Sequence, residues 1–325
     1  MNRLWLAALL AAMLTGCTSA PQTTQLRESG LLDQPSSLVS GVPFYPQTTD
    51  QCGPAALAAV LNFRQIDTNP EQLRQSVYLA QRGGSLQSDL IAATRAAGLQ
   101  PFPLPPELGA LLQELAAGNP VLVLQNLGLD MLPRWHYAVA VGYDREQQAI
   151  ILHSGENRAL RRPLALFEQS WSRAQRWALV VTSPTQPPAT ATAKSWLRAT
   201  LQLEQVGQLS SAQQGYRSLT TQWPEFVDGW IARANADYSA GSPALALSHY
   251  QQALRLDLAN TSAWNNQAYA LERIGCDGQA IASLHCGLRY DPSDARLLDS
   301  LNELGNASKP VSQPQADNCP IILCP

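Results

Sequence analysis

Between Val42 and Ser183 the spacing of apolar positions changes character once. Residues 53–62 are short and apolar on most sides, whereas 71–79 and 86–97 carry their apolar residues at helical spacing, with Gly98 where a helix C′ residue is expected. A further helix is predicted over 107–117, ended by Gly118. Beyond it the period shortens. Residues 120–127, 135–143, 149–154 and 177–182 are runs rich in Val, Ile and aromatics, separated by turn residues, and they read as strands. Helices first and an antiparallel sheet second predict an α+β domain over 41–183.

Residues 184–192, Pro-Thr-Gln-Pro-Pro-Ala-Thr-Ala-Thr, form a stiff, polar linker that marks a domain boundary. After it the pattern repeats. Trp196, Trp230 and Trp264 stand 34 residues apart, as do Gly207, Gly241 and Gly275, and Ala212, Ala246 and Ala280. Tyr216, Tyr250 and Leu284 follow each alanine by four residues. These columns resemble the tetratricopeptide pattern of an early aromatic, a small residue where two helices cross and an aromatic between them. The resemblance implies an all-α solenoid of three repeats over 193–305, closed by a capping helix at 294–304, with Thr200, Ala234 and Ala268 where the first helix usually has glycine. Residues 306–325 are left as a tail.

At the other end, Arg3 leads into an apolar run, 4–14, too short to span a membrane but suited to the core of a signal peptide. It ends in Leu14-Thr15-Gly16-Cys17, which resembles a bacterial lipoprotein box. The resemblance implies cleavage before Cys17, acylation of that cysteine and anchoring by its lipid. Thr18 rather than aspartate implies the outer membrane, facing the periplasm. Residues 18–40, rich in Thr, Ser, Gln and Pro, read as a flexible tether.

The chain of 325 residues is long enough for two domains, and its 45% apolar and 14% charged residues exclude general disorder. A formal charge of −3 provides no basic surface for nucleic acid. Six cysteines include no CxxC pair, and the four histidines show no ligand spacing, so no metal or other cofactor is expected. Cys276, Cys286, Cys319 and Cys324 form an even set fit for two disulfides in an oxidising compartment. Three pairings are open, and pairing within each local couple is the simplest. His249 and His285, on repeat helices, are expected in surface or groove roles.

Cys52, followed by Gly53-Pro54 and a helical pattern, is expected at a helix N-terminus, where amide groups and the helix dipole favour a thiolate. His136 begins a strand in Trp-His-Tyr-Ala-Val-Ala-Val-Gly-Tyr, so its imidazole can project toward the thiol. Together with Val42-Pro-Phe-Tyr-Pro-Gln47, these segments resemble the bacteriocin-processing, double-glycine type of papain-like cysteine peptidase. The resemblance implies a Cys52–His136 catalytic pair and an oxyanion hole made by the Cys52 N–H and a glutamine. Gln47 is the better match for that glutamine; Gln51 is read as a helix cap. The family also places an aspartate or asparagine about sixteen residues beyond the histidine, and here that count reaches His153 and Ser154. Either could orient the imidazole, Ser154 by accepting the Nδ1 hydrogen bond. Asp144 and Glu156 read as solvated loop charges. The expected function is a thiol peptidase whose repeats dock substrate or a protein partner. The alternatives are a peptide-binding adaptor with the same cleft and repeats, and a transferase passing the acyl group to an amine.

Overall fold

The computed structural model describes residues 20–29, 34–47, 51–307, 319–322 and 324. The signal segment and Cys17 lie outside the described residues, as does most of the tail. The chain divides into two compact units, the first ending at Ala191 and the second beginning at Thr192.

In the first unit the four expected helices are present as α2 (Cys52–Phe63), α3 (Pro70–Val77), α4 (Gln87–Ala96) and α5 (Leu108–Ala116). A capping box starts α3: Asn69 accepts from the Gln72 N–H while the Gln72 side chain accepts from the Asn69 N–H. The expected strands are β3 (Val121–Asn126), β4 (Trp135–Asp144), β5 (Ala149–Ser154) and β7 (Ala178–Thr182). Every residue of β3, β5 and β7 is buried, which is why these read as continuous apolar runs. Three more elements join them: β2 (Gln100–Pro103), β6 (Asn157–Pro163) and the helix α6 (Leu164–Ser172). The sheet runs β2-β7-β3-β4-β5-β6, all antiparallel.

The stretch expected as a tether is instead partly built into this unit. It carries a helix, α1 (Pro21–Ser29), and a short strand, β1 (Ser36–Leu38), paired with β4 at Gly142–Asp144. The buried Glu168 carboxylate accepts from the Gln22 N–H and from the Thr23 N–H and hydroxyl, so it closes the N-terminus of α1. Gln22 bonds Pro106 O and the Leu108 N–H, and Leu26 is buried. The polar composition concealed this because side-chain and backbone hydrogen bonds do much of the fastening. The linker is held likewise: buried Glu114 accepts from the Thr190 and Ala189 N–H groups and from Asn119 Nδ2, at 2.6, 3.3 and 2.7 Å.

The second unit is a stack of helix pairs, α7 (Ala193–Gln205) with α8 (Leu209–Gln222), α9 (Val227–Ser239) with α10 (Pro243–Leu256), and α11 (Thr261–Arg273) with α12 (Asp277–Tyr290). The 34-residue register is a backbone register. Gly207, Gly241 and Gly275 turn between the helices of each pair with φ of +79°, +79° and +82°, a conformation that favours glycine. Trp230 Nε1 and Trp264 Nε1 each donate to a carbonyl six residues upstream, Pro224 O and Leu258 O. Where the first repeat has Thr200 instead of alanine, Gly215 faces it: a Cβ there would lie 2.7 Å from the threonine side chain. The terminal helix α13 (Ala295–Ala307) buries Leu297, Ser300 and Leu304 and exposes its other face, as a cap should.

The disulfides correct the expectation of local pairing. Cys276 bonds Cys319 and Cys286 bonds Cys324, with Cα–Cα distances of 5.6 and 5.2 Å. Cys276 caps α12 and Cys286 lies within it, so ten helical residues separate them by roughly 15 Å, beyond the reach of a disulfide. Each is bridged by the tail, whose Ile322 packs against the same core.

Candidate active site

Cys52 is the first residue of α2, only 8% exposed and not disulfide-bonded. The helix starts as Gly53-Pro54 dictate, since Pro54 needs no amide partner in a first turn. Gln51 corrects a detail: its side chain makes no capping bond, and its carbonyl instead accepts from the Ala55 N–H at 3.0 Å. Gly53 has a steric reason. A Cβ there would meet Ser85 Oγ at 2.4 Å, so the loop before α4 can close over the first turn of α2 only because this residue is glycine.

That loop forms one wall of a cleft of about 460 Å³ into which Cys52 opens. Arg82 to Gln87 supply this wall, Leu124, Trp135 and Tyr137 the sheet side, and Arg173 to Gln175 the end beyond α6. Tyr137 binds the two sides together, donating its hydroxyl to Ser85 O at 3.3 Å and packing edge-on against Trp177. Burial, then the nearby Cys52 and Asp89, hold its phenol above the ordinary range, so it remains a protonated donor. Sequence reasoning did not assign these lining residues; the Gly83-Gly84 turn and the tyrosine after His136 were the available signals.

His136 stands on β4 between Trp135 and Tyr137. Its Nε2 lies 2.8 Å from Ser154 Oγ, at the end of β5. The contact between the ring and Ser154 is therefore made through Nε2, where Nδ1 was expected. His153 is turned elsewhere: Nε2 meets Val42 O at 3.3 Å, Nδ1 accepts from the Ala159 N–H, and the ring packs edge-on against Phe44. Burial, then Arg134 and Arg162, push the His136 imidazole below its ordinary pKa, which makes it neutral at neutral pH. Gln47 is buried just upstream of α2, with its N–H bonded to Gly155 O at 3.1 Å and its Oε1 unpartnered. Gln47, Gly155, Ser154 and His136 thus form one connected set, and Cys52 opens on the cleft lined by the neighbours of His136. Asp144, expected in a loop, is the last residue of β4, bonded to Arg161 and the Gln147 N–H. In the repeats, His249 is buried and paired with Asp237 at 2.8 Å, and His285 is on the exposed side of α12.

No curated protein matches the chain. Among solved structures, a protein of Bacillus anthracis described as a C39-like peptidase aligns at 17% identity, covering 48% of this chain and 100% of its own, with a TM-score of 0.42. The first tetratricopeptide domain of RPAP3, bound to an HSP90 peptide, aligns at 18% identity over 35% of this chain and 91% of its own, TM-score 0.34. The Yersinia enterocolitica type III secretion chaperone SycD, in complex with a peptide of the translocator YopD, aligns at 13% over 36% and 94%, TM-score 0.33. Residues 39–179, under half of the chain, match the family model "Peptidase_C39 like family", so this stretch is similar to C39-like peptidases.

Proposed function

We propose that the first unit is a thiol peptidase in which Cys52 is the nucleophile and His136 the general base and acid. The observation that carries the reading is the position of Cys52, at the N-terminus of α2 and on the wall of an open cleft. The neutral imidazole takes the thiol proton through Nδ1 as sulfur attacks the peptide carbonyl, and returns it to the departing amine. Water, deprotonated by the same imidazole, then releases the acyl group from sulfur. With Ser154 accepting from Nε2–H, Nδ1 is left with the lone pair this role requires. The Cys52 N–H and the Gln47 carboxamide serve the oxyanion.

The repeats are assigned to a protein partner. Asn235, Asn266, Tyr238, Tyr250 and Tyr269 line a pocket there, and their amides and hydroxyls suit a peptide backbone. Localisation belongs to the same proposal: Cys17 is lipidated and holds the protein at the outer membrane, facing the periplasm. Two disulfides in the second unit fit such an oxidising compartment.

A second reading, a peptide-binding adaptor, is favoured by one observation: His136 is bonded to a neutral serine where the family has a carboxylate or amide. Hydrolysis of an unfolded protein substrate decides between them. The peptidase reading requires turnover that Cys52→Ala and His136→Ala both abolish; binding without turnover in the unmodified protein establishes the adaptor.

A further inference from the structure

At Trp135 the cleft meets the base of the β3–β4 hairpin, residues 127–134. This hairpin is tightly held. Asn126 Oδ1 accepts from the N–H groups of Gly128 and Arg134, both at 2.9 Å, and the Leu127 N–H donates to Arg134 O at 2.8 Å. Gly128 is required, because a Cβ there would lie 2.3 Å from Leu132 O. Yet the hairpin exposes Leu129, Met131 and Leu132 at 70, 92 and 74%, and Trp135 at its base is 56% exposed while also lining the cleft. Single exposed apolar side chains need no explanation, but four large ones on one ordered hairpin mark a binding surface.

Charge says what the surface fits. Arg82 and Arg173 lie in the cleft wall and Arg134 at the end of the hairpin, and among the described residues no Asp or Glu lines the cleft. None of the three arginines is in an ion pair among the described residues. Arg173 is positioned by its Nε and Nη2, which donate to Asn126 O at 3.3 and 3.0 Å. The one carboxylate of the hairpin, Asp130, lies outside the cleft lining.

We propose that cleft and hairpin together select peptides in which large apolar side chains alternate with acidic ones, the apolar groups covering Leu129, Met131, Leu132 and Trp135 and the carboxylates meeting Arg82 and Arg173. The placement beside a scissile bond rests on the peptidase reading; the binding preference does not.

The test uses the full-length Cys52→Ala protein and a fluorescent peptide of alternating Leu and Glu, amidated so that its side chains are the only anions. It should bind roughly tenfold more tightly than the same peptide with Gln or Lys for Glu. Arg82→Gln and Arg173→Gln should each weaken binding about threefold to tenfold, and Met131→Ser with Leu132→Ser about tenfold. Arg82, Met131 and Leu132 are exposed, so their variants should fold even if Arg173→Gln does not. Equal affinity for the Glu and Gln peptides, or binding unmoved by these variants, overturns the proposal. So does a hairpin variant that loses binding to phosphatidylglycerol vesicles while keeping its peptide affinity, because the apolar hairpin would then serve a lipid surface. If the unmodified protein binds in the proposed pattern but never cleaves, the catalytic reading falls and the selectivity stands.

Discussion

Nε2 of His136 and Oγ of Ser154 lie 2.8 Å apart, joining the start of β4 to the end of β5. The orienting partner is neutral. It can fix the ring and its tautomer, but it supplies no negative charge to stabilise an imidazolium during catalysis. Ser154→Ala should therefore lower kcat/KM by about tenfold, the worth of one hydrogen bond, a much smaller loss than removal of an anionic partner causes. Ser154→Asp should raise the rate above that of the unmodified protein. Steady-state peptide hydrolysis checks both; a Ser154→Ala enzyme as fast as the parent removes the serine from the site.

The acid limb of activity should lie below the ordinary histidine value of about 6.5, because burial, Arg134 and Arg162 all disfavour the charged ring. A depressed folded pKa means that this group's contribution is complete above the unfolded value and is lost as pH falls through the folded one. Arg162→Gln should move the acid limb upward, toward 6.5, and a pH profile of kcat/KM reads the shift directly.

Glu114 is buried and accepts three hydrogen bonds, two of them from the linker. Glu114→Ala leaves those donors unsatisfied and should cost about 2–4 kcal/mol. Because the chain has two compact units, thermal unfolding should show one transition moved down and the other unmoved. A melt in which both transitions stay in place would contradict the role given to this carboxylate.

Non-reducing peptide mass mapping should recover Cys276 linked to Cys319 and Cys286 to Cys324. Replacing both members of either pair by serine should destabilise the repeat unit by about 2–4 kcal/mol, as expected for loops of this length. Recovery of Cys319 linked to Cys324 would restore the local pairing and detach the tail from α12.

Much of this was legible in the chain. The 34-residue columns of Trp, Gly and Ala gave the helix pairs because each column has a geometric duty, the glycines most plainly with their positive φ. Strand β6 was not legible: it is an edge strand, largely exposed, with charged residues where a buried strand would alternate. Strand β2 carries two prolines, which argue against a strand except at an edge, where it lies. Cys52 and His136 stood out by their neighbours, but the choice between His153 and Ser154 did not. Adjacent strand residues face opposite ways, so only one can meet His136, and the β4–β5 register that decides it shifts between Ala140 and Gly142. Arg82 and Arg173 reach the cleft from separate loops, a proximity that spacing along the chain does not encode.

The most direct measurement is the rate of iodoacetamide alkylation of Cys52 against pH, followed by peptide mass in the unmodified protein and in His136→Ala. Cys52 should react fastest at neutral to mildly acidic pH, because the α2 N-terminus favours its thiolate, and His136→Ala should slow that reaction. A Cys52 that alkylates only above about pH 8.5, with no response to His136→Ala, would have an ordinary thiol uncoupled from the imidazole and would contradict the catalytic pair.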